Sequence, residues 1–157
     1  MKILIFTEGT ILMHKSGDGL PKEEVVKQVE ENEPSVKDYS SYIPIGNASE
    51  KIRKWEDNGA TITYLTSRKE LGEIEAIRDT LKRYNFPECD LDFRRNGETY
   101  ANVAERIMPD ILIEDDCESI GGEAEMTYTH IKDELKPKIK SVVVKEFGGI
   151  DDLPDVI

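Results

Sequence analysis

The sequence predicts a doubly wound α/β sandwich, three layers deep, with a five-stranded parallel sheet between helices. Two observations carry this expectation. Runs rich in aliphatic and β-branched residues, at 2–6, 60–65, 91–93, 110–114 and 140–144, alternate with segments whose apolar residues recur at helical spacing. The first run, Ile3-Leu4-Ile5-Phe6, is continuously apolar, as befits a central strand covered on both faces. Strands alternating with helices at this interval imply right-handed crossovers, and therefore a parallel sheet.

After the first strand, the polar stretch between Met13 and Tyr42 contains Gly17-Asp18-Gly19, then Pro21, a residue suited to open a helix, then Val25, Val26 and Val29 at helical spacing. Two readings are open for this insertion of about residues 13–45: a cap over the sheet, or a solvated surface helix. Asn47 followed by Glu50 is a capping-box pattern, Ala48, Ile52 and Trp55 share one face, and Asn58-Gly59 supplies a stop. A second strand follows, and Leu71, Ile74, Ile77, Leu81 and Tyr84 mark the next amphipathic helix. Tyr100, Val103, Ala104 and Ile107 form a further helical stripe, closed by Pro109. Residues 122–135 are expected to be helical up to Pro137, and residues 147–154 to pack as irregular structure.

The bulk properties bound the function. A chain of 157 residues suits one domain. Its 33 acidic residues against 21 basic ones give a net charge of -12, which disfavours an extended nucleic-acid footprint. Any bound phosphate should be small and locally held. Cys89 and Cys117 are expected to be reduced thiols, and no apolar run reaches the length of a signal h-region or a membrane span, so a soluble cytoplasmic protein is expected. His14 and His130 have no Cys or His at ligand spacing, which argues against zinc.

The candidate chemistry lies at strand ends. Ligands bind outside the carboxyl ends of strands in an open parallel sheet, where the strand order reverses. Glu8 follows the first strand, and Glu114-Asp115-Asp116 ends the fourth. Three consecutive acids suit a magnesium ion, which takes one or two carboxylates and keeps several waters; they equally suit a solvated turn that caps the next helix. Thr66 and Ser67 lie where a strand feeds a helix, so they could receive a phosphate or act as an ordinary N-cap. Arg68 could clamp phosphate or pair with Glu70 or Glu73. Arg94 and Arg95 could supply positive charge to the site or form a solvated loop pair. Thr7, by strand alternation, should point away from both Phe6 and Glu8.

These motifs in this order resemble the haloacid dehalogenase-like superfamily, whose members are mostly magnesium-dependent phosphohydrolases, and within it the small-cap nucleotidase-like branch. In that family the first strand ends in Asp, a spacer, a second Asp and Gly-Thr. Anchoring on Gly9-Thr10 puts Glu8 at the second acid and Phe6 at the nucleophile. Leu65-Thr66-Ser67 fits the second motif, Ile113-Glu114-Asp115-Asp116 fits the fourth, and Arg94 or Arg95 is the nearest substitute for the family's Lys. The resemblance implies catalytic roles for Glu8 and Thr66, phosphate contacts from Thr66, Ser67, Arg68 and Arg94, and Mg2+ held by Glu8, Glu114, Asp115 and Asp116. A phenylalanine cannot attack phosphorus. Two functions are therefore expected: a divergent magnesium-dependent phosphohydrolase of a small phosphorylated metabolite or nucleotide with weak or lost activity, or a non-catalytic phosphate- or metal-binding regulatory protein. If the rest of the pocket is intact, Phe6→Asp should raise turnover.

Overall fold

The computed structural model describes residues 1–157. Five parallel strands form the sheet: β1 (Lys2–Phe6), β4 (Thr61–Leu65), β5 (Asp90–Asp92), β6 (Ile111–Asp115) and β7 (Lys140–Val144), in the spatial order β5-β4-β1-β6-β7. β1 is central, with Phe6 opposite Leu65 on one side and Ile5 opposite Ile113 on the other. The chain builds outward from β1 through β4 to β5, then returns to β6 on the opposite side. The order thus reverses at β1, and the carboxyl ends of β1 and β6 flank the switch point.

Side-chain alternation along β1 divides the core. Ile3 and Ile5 pack with Ile52 and Trp55 of α2 (Ala48–Asp57) and with Ile77 and Leu81 of α3 (Leu71–Arg83). Leu4 and Phe6 pack on the other face with Ala101, Val103 and Ala104 of α4 (Tyr100–Ile107), and with Ile131 and Ile139. This is the three-layer sandwich expected from the alternating pattern. Trp55 is buried, and its Nε1 donates to the Pro154 carbonyl at 2.9 Å. That bond, with Ile150, Leu153 and Ile157 against the same core, holds the C-terminal tail in place.

Residues 14–42 leave and rejoin the sheet domain through a two-stranded antiparallel pair, β2 (Leu12–Met13) with β3 (Ile43–Pro44). Two residues per strand are too few for a periodic signal, so the pair is invisible in the residue pattern. Between them lies α1 (Lys22–Glu30), opened by Pro21 as expected and followed by short 3-10 turns.

Two local expectations are corrected. Residues 122–135 form 3-10 turns rather than a helix. Gly121 and Gly122 have φ of 136° and 78°, and the amides of Thr127 and Tyr128 bond to the Glu114 carboxylate instead of to a helical ladder. At α2, the Asn47 side chain makes no capping bond, because its backbone N–H is turned onto Asp151 Oδ1 at 2.9 Å. The capping box is at α4, between Thr99 and Asn102. Both cysteines are unpaired, and no helix is long and apolar enough to cross a membrane.

Candidate functional site

Beyond Phe6 the chain turns sharply. The Thr7 carbonyl accepts the amides of Ile11 and Leu12 at 3.0 and 2.9 Å, and Gly9 makes the turn at φ +82°. Extended geometry ends here, which swings the Glu8 side chain sideways across the end of β4. Its Oε1 accepts the Thr66 hydroxyl at 2.5 Å; its Oε2 accepts the Thr7 hydroxyl at 2.6 Å and the Ser67 N–H at 3.0 Å. The expectation that Thr7 points away from Glu8 therefore fails, since alternation does not extend past the last strand residue.

Asp115 lies on the opposite side of β1. It is 8% exposed, and it accepts the Thr10 hydroxyl at 3.0 Å and the Cys117 N–H at 2.9 Å. Burial raises its carboxyl above the usual range; these two hydrogen bonds offset part of that, and the charges of Glu114 and Asp116 add to it. Beside it is an acid that the sequence reading missed. Glu146, buried, accepts the Ser119 N–H at 2.8 Å and the Ser119 hydroxyl at 2.7 Å. Burial raises its carboxyl also, and the charges of Asp115 and Asp116 contribute. Glu146 follows β7 as Glu8 follows β1, so the strand-end rule applied to the last strand would have found it.

The other two acids of the triplet are engaged elsewhere. Glu114 alternates to the opposite side of β6 from Asp115, and its two oxygens take the N–H groups of Thr127 and Tyr128 at 2.7 and 2.9 Å. Asp116 accepts the Glu146 N–H at 3.1 Å and pairs with Lys145 at 3.4 Å. Glu8, Glu114, Asp115 and Asp116 are thus not gathered around one point, and no group of three His, Cys, Asp or Glu side chains is arranged to hold a metal ion. Each of the four carboxylates already accepts N–H, O–H or ammonium donors.

The Arg68 guanidinium donates to the Ser67 hydroxyl at 3.0 Å and to the Tyr39 hydroxyl, and lies 4.5 Å from the centre of the Tyr39 ring. It pairs with neither Glu70 nor Glu73. Arg94 stacks on Tyr100 at 4.0 Å, and its buried Nε has no partner. Arg94 is absent from the cavity wall. Phe6, 8% exposed, meets the same Tyr100 ring edge-on at 5.2 Å.

These groups surround a cavity of about 350 Å³ between the strand ends and residues 14–42. The inserted segment contributes His14, Lys37, Tyr39 and Tyr42 to its wall; the strand ends contribute Phe6, Glu8, Ser67 and the acids Glu114, Asp115 and Glu146. The structure therefore brings Glu8, Thr66, Ser67 and Arg68 together at β4, keeps Asp115 at β6, and leaves Arg94 outside.

No protein-family model matches the sequence, and no curated protein matches it. Solved structures are similar in fold. A class C acid phosphatase from Bacillus anthracis, with tungstate bound, superposes with a TM-score of 0.56 at 13% identity, over 94% of this chain and 68% of that one. D,D-heptose 1,7-bisphosphate phosphatase from Burkholderia thailandensis gives 0.50 at 10% identity, over 94% and 93%. The chain has the α/β fold of these phosphatases.

Proposed function

We propose that this chain is a non-hydrolytic binding protein on a haloacid dehalogenase-like fold. It holds a small molecule between the strand ends and a cap formed by residues 14–42. One observation carries the reading: the residue at the end of β1, where the family resemblance expects the attacking carboxylate, is Phe6, and its ring is packed edge-on against Tyr100 at 5.2 Å. Covalent phosphoryl transfer needs an oxygen nucleophile, and an aromatic ring supplies none. The arrangement of the acids supports the same reading, since no three of their side chains are grouped as a metal-binding cluster.

The cavity volume of about 350 Å³ suits a small ligand. Lys37 and Arg68 are the cationic side chains on its wall, so an anionic group on the ligand would be placed near them. The test is hydrolysis of an aryl phosphate with and without magnesium. No release above the buffer rate is expected; turnover that Asp115→Asn abolishes would overturn the proposal.

A further inference from the structure

We infer that Glu8 is an internal plug: its carboxylate fills an oxyanion cradle at the end of β4, which accepts an external oxyanion only when that carboxylate is withdrawn. Three donors converge on the two oxygens, the Thr66 hydroxyl at 2.5 Å, the Thr7 hydroxyl at 2.6 Å and the Ser67 N–H at 3.0 Å. The two hydroxyl contacts have the length of charge-assisted O–H···O⁻ bonds.

The cradle is positioned independently of Glu8. Thr66 and Thr7 are fully buried, and their amides are fixed to the Asp92 and Leu65 carbonyls at 3.1 and 3.0 Å. The Thr66 hydroxyl accepts the Arg68 N–H at 3.2 Å, which leaves its one proton directed at the carboxylate. Arg68, bonded to the Ser67 hydroxyl, adds a positive charge beside the cradle. Removing the carboxylate would leave the buried Thr66 hydroxyl without an acceptor, a condition that proteins avoid, while the Thr7 hydroxyl would keep the Leu65 carbonyl at 3.3 Å. An oxyanion of suitable size satisfies the same donors. While Glu8 is seated, such an anion would meet a like charge at hydrogen-bond distance and be excluded. Residue length matters: the side chain must reach from the loop after β1 to the neighbouring strand, and glutamate exceeds aspartate by one methylene.

Calorimetric titration with tungstate tests the plug in the wild type, Glu8→Ala and Glu8→Ala/Thr66→Val. The single variant is expected to bind at least about tenfold more tightly than the wild type, and the double variant to lose that gain. Equal binding by wild type and Glu8→Ala, or no gain in a Glu8→Ala protein with native circular dichroism, overturns the inference. Should Glu8→Ala fail to fold, the Ser67 amide proton decides. In the wild type its NMR resonance should lie downfield of that in Glu8→Gln, where the acceptor is neutral; the same position in both proteins overturns the plug. Tungstate binding by the wild type as tight as by Glu8→Ala, without phosphate-ester turnover, would remove the plug and leave the non-hydrolytic reading standing. Turnover would remove the latter.

Discussion

Gly9 and Asp115 are in such close contact that a β-carbon on residue 9 would lie 2.8 Å from Asp115 Oδ2. The backbone at Gly9 also has φ +82°, which L side chains rarely adopt. Gly9→Ala should therefore destabilise the protein by about 1–3 kcal/mol from backbone strain, with a further loss from displacing Asp115. Urea unfolding would measure it, and an unchanged midpoint would show that the turn relaxes freely.

Phe6→Asp alone should leave aryl phosphate hydrolysis at background, contrary to what the motifs suggest. The new carboxylate would stand next to donors still taken by Glu8. It should also lower stability by about 3 kcal/mol or more, since a buried aromatic is truncated and a charge replaces it. Shortening residue 8 in the same protein, Phe6→Asp with Glu8→Asp, is the least change that supplies an acid and frees the cradle. Phosphate release by the single variant would show that Glu8 is not firmly seated.

Stability should depend on pH in a bell. Burial raises Glu114, Asp115 and Glu146, so folding favours their protonated forms. Their contribution is fully present below the ordinary values of 3.8 and 4.5, and is lost as pH rises through the raised folded-state values. Asp92 behaves oppositely. Arg106 holds its carboxyl low, so its contribution is present above 3.8 and is lost as pH falls further. The melting temperature should thus climb as a neutral solution is made mildly acidic, then fall once Asp92 protonates. Thermal melts across pH would show this, and Glu146→Gln should flatten the neutral limb; a monotonic rise toward alkaline pH would contradict it.

Trp55 is the anchor of the C-terminal tail. Trp55→Phe should cost about 1 kcal/mol for the bond to Pro154, while Trp55→Ala should cost about 3–5 kcal/mol. In Trp55→Phe, hydrogen exchange should quicken at residues 150–157 before it does in the sheet. Uniform acceleration would mean that the tail and core open as one unit.

The sheet was legible from residue order because its signal is local. Continuous apolar runs and helical stripes reflect burial on two faces and on one, and they located β1, β4, β6 and β7 to within a residue or so. The same strand-end logic found Glu8, Thr66 and Asp115 as lining or neighbouring the cavity. The paired β2 and β3, by contrast, left no trace, and Asn47 has the residue pattern of a cap without making one.

Which way each carboxylate turns is a different kind of information. Glu8, Glu114, Asp115 and Asp116 are equivalent as letters in a motif, yet each takes donors from a different part of the chain, 58 residues apart for Glu8 with Thr66 and 105 for Asp115 with Thr10. Linear spacing encodes periodicity and strand termini, which arise from neighbours in the chain. The destination of a charged side chain is set by the nearest unsatisfied donor in three dimensions, and only the folded arrangement supplies that donor.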